Sequence, residues 1–164
     1  MKECDRMNIR EFEEKYDQYK TVIYRIAFTY LKNNEECEDA MQEVFLKYLL
    51  SAPAFESTEH EKRWLIRVTV NYCKNNLKLF WNSRRGAIEE IAQLPADNEE
   101  KAILEEIFNL PEKFKIVIYL YYVEGYKCAE IAEILGMKES AVKMRLKKGR
   151  ELLKIQWEKG EVFA

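Results

Sequence analysis

Apolar residues recur at helical spacing along most of this chain. Between residues 10 and 32 they fall at Phe12, Tyr16, Tyr19, Ile23, Ile26, Ala27, Tyr30 and Leu31, predicting a helix that stops at Asn33-Asn34. Residues 35–50 place Cys37, Ala40, Met41, Val44 and Tyr48 on one stripe, a second helix. Residues 51–57, with Pro53, read as a loop, and residues 59–80 as a third helix buried through Trp64, Leu65, Val68, Tyr72 and Leu79. The pattern breaks over residues 82–98, which hold Gly86 and Pro95, so these are read as a linker between a domain at 1–81 and another at 99–164. Beyond it, one helix spans about 99–109. Another starts at Leu110-Pro111, with Pro111 in its first turn where the missing N–H costs little, and runs to Val123 before Gly125. The predicted fold is all-α: two small helical domains, three to four helices in the first and four in the second. Five glycines and three prolines are too few for a turn-rich β architecture.

Residues 127–154, KCAEIAEILGMKESAVKMRLKKGRELLK, carry the most specific pattern. Two short helices meet at a glycine, and the second is heavily basic. Ala132, Gly136 and Val142 stand four and then six residues apart. A helix-turn-helix needs that spacing: a small residue where the helices approach, a glycine for the left-handed turn, and an apolar anchor on the second helix. In that last helix Val142, Leu146, Gly149 and Leu153 form the stripe expected to be buried. Lys138 stands where a Ser or Thr cap is expected.

Charge sharpens the picture because it is segregated. The net charge of −2 from 27 basic and 29 acidic residues hides four blocks. Residues 35–43 hold five acids and no base; residues 62–85 hold seven bases and no acid. Residues 89–112 hold eight acids against Lys101, and residues 138–159 carry a net +5. Two separated basic segments suit two contacts with one polyanion. The acidic blocks suit a basic protein partner, or shielding of the DNA-binding faces.

Within the last helix, Glu139, Ser140, Lys143 and Met144 are placed to reach base edges, because bases are read from the N-terminal half of such a helix. Lys148 and Arg150 suit the phosphate backbone. The 62–85 segment mixes its bases with aromatics and amides, a composition that can stack on unpaired nucleotides. Trp64 and Tyr72 share a stripe with Leu65 and Val68 and are expected in the core, which leaves Asn71, Lys74 and Asn75 for DNA. His60 is expected to be exposed and without a chemical role.

Several classes of function are disfavoured. The longest apolar run, residues 116–123, is far short of a bilayer span, and MKECDRMN lacks the hydrophobic region of a signal peptide. A cytoplasmic protein without membrane insertion is expected. Cys4, Cys37, Cys73 and Cys128 have no paired spacing and are read as free thiols. With one histidine there is little from which to build a metal site, and no cofactor or catalytic residue is expected. The acids of the second helix cluster on one solvent face, unlike the metal-binding set of a recombinase or transposase.

Taken in order, these motifs resemble a family. Residues Asp39-Ala40-Met41-Gln42-Glu43-Val44-Phe45, followed by Trp64-Leu65-Ile66-Arg67 and Asn71, resemble region 2 of bacterial sigma factors. Leu110-Pro111, Glu124-Gly125-Tyr126, Glu130-Ile131-Ala132, Gly136 and Val142-Lys143 with Arg145-Leu146 resemble region 4. The short linker is similar to that of the extracytoplasmic-function (ECF) group of the sigma-70 family. The likeness spans residues 12–155 and implies a non-catalytic transcription initiation factor. It implies that Asp39, Gln42 and Glu43 dock on the coiled coil of the largest catalytic subunit of RNA polymerase, with the flap as a further polymerase contact. It implies a −10 surface at Arg63, Arg67, Asn71, Lys74 and Lys78, near a site that captures a flipped base. It assigns −35 recognition to the final helix, on Lys143, Arg145 and Lys148, beside Glu139, Ser140, Met144 and Arg150 from the reading of that helix above. An anti-sigma factor is an expected partner beside promoter DNA. The chain departs from the family pattern at residues 60–63, where aromatics are common, and at Ser140-Ala141, where Gly-Thr is usual. The competing reading is an autonomous helix-turn-helix regulator.

Overall fold

In a computed structural model, residues 7–77 and 98–163 are described, the side chains of 98 and 160–163 excepted. The chain divides into two compact units, with the change at Arg85/Gly86. Among the described residues all regular structure is helical.

The first unit holds α1 (Ile9–Leu31), α2 (Asn34–Ser51) and α3 (Thr58–Asn76), each packed against the other two. Local sequence sets their ends. Asn8 and Glu11 form a reciprocal capping box at the start of α1. Lys32 ends it in the left-handed conformation (φ 56°). Asn33 caps α2 and Ser57 caps α3, each accepting a backbone N–H three residues on. Tyr19, Ile23, Val44, Phe45, Tyr48 and Leu65 make a core cluster, with Phe12, Met41, Phe55, Trp64 and Val68 packed around it.

The buried stripe of α3 differs from the one expected. Its inner face is Leu65, Ile66, Thr69, Val70 and Cys73, while Trp64, Val68 and Tyr72 lie half-buried on its flank. Polar residues hold inner positions because their bonds are met within the protein: Thr69 Oγ1 donates to the Leu65 carbonyl at 2.7 Å, and Glu61 is buried. The helix is described as far as Asn76; Lys78 and Leu79 lie outside the described residues, as does the expected linker except Asn98, which opens the next helix.

The second unit holds α4 (Asn98–Phe108), α5 (Glu112–Ile118), α6 (Cys128–Leu135) and α7 (Glu139–Phe163). Pro111 sits at the N-cap of α5, one residue before the first helical turn expected for it. The helix does not run straight to Val123: it widens into a π turn over Tyr119–Val123, closed by Glu124 N–H on the Tyr119 carbonyl. Gly125 follows at φ 77°. Gly136 takes the left-handed turn between α6 and α7 at φ 64°, and Met137 N–H bonds back to the Ala132 carbonyl. Val142 and Leu146 are fully buried and Gly149 is buried with them; Leu153 is half-buried. Gln156 on α7 donates to the carbonyl and carboxylate of Glu106 on α4, both at 3.0 Å, closing the unit.

Candidate nucleic-acid interface

The exposed face of α7 follows from its buried one. Val142, Leu146 and Gly149 point inward, so at about 100° per residue Ser140, Lys143, Met144, Lys147 and Lys148 fan over the opposite side. Met144 stands near the centre of that face and is 71% exposed. Lys143 pairs with Glu139 at 3.3 Å and Lys148 with Glu151 at 3.8 Å; all four are exposed and stay available to a polyanion. Arg145 lies at the edge, half-buried, with Nη1 3.5 Å from Met137 Sδ. Arg150 lies at the other edge, its guanidinium over the Tyr121 ring at 5.9 Å. The −35 residues of the sequence reading therefore share one helix but spread from its central face to both margins.

On α3, Arg67, Asn71 and Lys74 are exposed and Arg63 is half-buried. Asn71 opens onto a groove whose other wall is α2: Glu43, Leu50 and Ser51 face Val68, Asn71 and Tyr72. The Tyr72 hydroxyl is held above its ordinary pKa by burial and then by the fields of Glu43 and Asp39, so it stays a neutral donor. Amides, a phenol and aliphatic walls in one open groove suit an unpaired base.

Asp39, Gln42 and Glu43 are all exposed on α2, with Glu35 and Glu38 on the preceding turns. The sequence reading missed what continues the face. Leu46, Leu49 and Leu50 are exposed at its C-terminal end, large aliphatics outside the buried stripe. Glu38, Gln42, Leu46 and Leu49 border a second groove whose far side is Phe12 and Tyr16 of α1. The face is thus acidic at one end and apolar at the other, the composition of a protein-binding surface.

His60 is half-buried rather than fully exposed. Its Nδ1 accepts the Glu56 N–H at 3.1 Å and its ring meets Phe55 edge-on at 5.4 Å, so it fastens the α2–α3 loop. Cys37 and Cys73 are buried free thiols and Cys128 is a half-exposed one. Burial pushes the Cys73 pKa up to about 12. Among the described residues no cluster of three or more His, Cys, Asp or Glu could hold a metal, and no helix is long and apolar enough to cross a membrane.

Comparison with known proteins gives this arrangement its place. The family description "Sigma-70 region 2" matches residues 16–80, and "Sigma-70, region 4" matches residues 100–153. The RNA polymerase sigma factor SigV of Bacillus subtilis is 31% identical over 149 residues, covering 88% of this chain and 89% of that one. The chain belongs to the sigma-70 family. The ECF RNA polymerase sigma factor SigW of Bacillus subtilis, 28% identical over 164 residues with 88% of each chain covered, sets this sigma factor in the ECF group. Two solved structures share its fold. CnrH, in complex with the cytosolic domain of CnrY, has TM-score 0.64 at 20% identity over 92% of this sigma factor and 90% of that chain. RpoE of Bartonella quintana, in complex with the anti-sigma factor NepR, has TM-score 0.65 at 16% identity over 92% and 98%. The protein is an alternative sigma factor, which directs RNA polymerase to promoters, and sigma factors are themselves non-catalytic.

Proposed function

We propose that this sigma factor divides its task among three faces. Asp39, Gln42 and Glu43, continued by Leu46 and Leu50, dock on a basic coiled coil of the largest polymerase subunit. Arg63, Arg67, Asn71 and Lys74 line the path of the −10 strand, and the groove beside Asn71 accepts an unpaired base. Ser140, Lys143 and Met144 read −35 base edges, with Glu139 orienting Lys143, while Arg145, Lys148 and Arg150 hold phosphates. The observation that carries this reading is the order of charge and exposure in one chain: an acidic, part-apolar outer face on α2, then amides and bases on α3, then a basic outer face on α7. Each matches the chemistry of its partner.

The protein itself catalyses nothing and works in the cytoplasm beside its polymerase. An anti-sigma factor is its natural inhibitor; RpoE is seen in complex with the anti-sigma factor NepR, and CnrH with the cytosolic domain of CnrY. The grooves flanking α2 give such a partner apolar anchorage, and its binding would exclude polymerase.

Run-off transcription with core RNA polymerase over a randomised promoter library tests the proposal. The complex should select paired −10 and −35 sequences, and the protein alone should shift neither. Asp39→Lys with Glu43→Lys should lose core binding by at least about tenfold while leaving the Tm within a few degrees, since both side chains are exposed. Retention of core by that variant at wild-type affinity would sink the docking assignment.

A further inference from the structure

A buried carboxylate at the heart of the first unit has no part in the division of labour above. Glu61, on the first turn of α3, is 6% exposed. Three donors from two other helices converge on it. Lys15 Nζ and Tyr19 Oη, both on α1, donate to Oε1 at 2.8 and 2.7 Å. Tyr48 Oη, on α2, donates to Oε2 at 2.9 Å. One side chain thus ties all three helices of the unit. A buried charge survives only with such a full complement of bonds, and its geometry is correspondingly narrow.

The tie reaches the DNA-facing parts. Tyr48 stacks on Phe55 of the α2–α3 loop, with ring planes 8° apart and centroids 6.3 Å apart. Phe55 in turn meets Trp64 of α3 at 5.7 Å and His60 at 5.4 Å. The Tyr48–Glu61 bond spans α2 and α3, which are also the two walls of the groove holding Ser51, Val68 and Asn71. The separation of those walls is therefore held from inside by this bond together with the packing of Val44, Tyr48 and Leu65.

We infer that Glu61 is a positioning residue for promoter selection: through Tyr48 and the Phe55 loop it fixes the width of the α2/α3 groove, and with it the discrimination of the −10 strand. The inference rests on the assignment of that groove to the −10 element. It does not depend on α7, nor on Asp39 and Gln42 of the α2 docking face, although Glu43 and Leu50 border both surfaces. A carboxylate suits the task better than an apolar residue of the same volume. Directional bonds fix both the spacing and the rotation of neighbouring helices, whereas apolar contacts tolerate slip.

The test compares wild type, Glu61→Gln and Tyr48→Phe, each bound to core RNA polymerase. Run-off transcription is measured on the selected promoter and on versions with single base changes at −10 or −35. Glu61→Gln keeps the shape and loses the charge. Tyr48→Phe keeps the ring on Phe55 and loses only the bond to α3. The expected result is a roughly tenfold fall in −10 discrimination for Glu61→Gln and a smaller fall for Tyr48→Phe. Discrimination at −35 and affinity for core should hold within about twofold, because α7 belongs to the other unit and both variants leave the exposed Asp39, Gln42 and Glu43 unchanged. Should both variants lose transcription equally from every promoter, with discrimination ratios unchanged, Glu61 is merely structural and the inference is overturned. Unchanged ratios at full activity overturn it too. A wild-type protein that redirects polymerase to no promoter would overturn the sigma-factor assignment itself, an outcome visible before any variant is made.

Discussion

Gly149 on α7 lies against Ile118 at the end of α5 so closely that a β-carbon on the glycine would stand 2.7 Å from Ile118 Cγ1 and 2.8 Å from Cδ1. Ile118 is fully buried and has no free direction in which to turn. The basic helix therefore approaches the core of its unit through a missing side chain. Gly149→Ala should cost about 1–3 kcal/mol by overpacking, although glycine-to-alanine inside a helix is normally favourable. Ile118→Val, which removes Cδ1, should recover part of that loss in the double variant. Thermal melts of the four proteins give the coupling, and strictly additive effects would show that the helices separate freely.

Acid should loosen the first unit through Glu61. Burial by itself would raise this carboxyl group's pKa, but the bonds from Lys15, Tyr19 and Tyr48 outweigh it and hold the group below the ordinary carboxylate value. A folded-state pKa below the unfolded one stabilises fully above the unfolded value of about 4.3, and the gain is lost as pH falls through the folded value. The wild type should therefore lose stability more steeply than Glu61→Gln below about pH 4, and in parallel with it between pH 6 and 8. Denaturant melts at several pH values measure this. The same bonds keep Tyr19 and Tyr48 protonated far above the usual phenol range, burial being the larger cause. Replacing the carboxylate by Leu would strand two buried hydroxyls, at about 1–3 kcal/mol each.

Much of this was legible in the sequence, and what was not has a common cause. The spacing of Ala132, Gly136 and Val142 predicted a left-handed turn and a buried anchor, and both are present. The stripes of α1 and α2 were legible because apolar residues dominate them, although Arg25, Thr29 and Glu36 are buried there as well. On α3 the stripe was rotated in the reading because Glu61 and Thr69 occupy inner positions, and hydrophobic periodicity counts a buried polar residue as solvent. Partners 13 to 46 residues away satisfy Glu61, and no local pattern announces them. The π turn at Tyr119–Val123 escaped for a related reason: a continuous apolar run has no period to show where a helix widens. Leu46, Leu49 and Leu50 could have been found as apolar residues out of register with the core stripe. The residue-level assignments on α2 came from resemblance, and those on α3 and α7 from helix position and charge as well; the exposure of Arg67, Asn71, Lys74, Lys143 and Lys148 is compatible with them.

Thiol chemistry should follow burial. Cys37 and Cys73 are enclosed, and burial pushes the Cys73 thiol up to about 12, so Cys73 offers no thiolate at neutral pH in the folded state. Cys128 is half-exposed at the start of α6. Among these three, alkylation of the native protein followed by peptide mass mapping should modify Cys128 first. Cys37 and Cys73 should react only after denaturant is added. Modification of Cys73 at the same rate as Cys128 would mean that α3 opens locally on the labelling timescale.

The face of α7 makes the sharpest prediction about DNA. Lys148 lies toward one side of that face, while Ser140, Lys143 and Met144 occupy its N-terminal half. A phosphate contact carries no sequence information but releases counterions. Lys148→Ala should therefore weaken binding of the polymerase complex to all promoters by a similar factor and lower the slope of log K against log salt by about 0.9. Lys143→Ala and Met144→Ala should instead change which −35 bases are preferred, by about 1–3 kcal/mol for a base read directly. Lys143 carries charge as well, so its variant should lower the slope too, whereas Met144→Ala should leave the slope alone. Filter binding of the complex to promoter variants between 50 and about 200 mM salt separates these effects. A Met144→Ala protein with an unchanged −35 preference would remove that residue from the reading face.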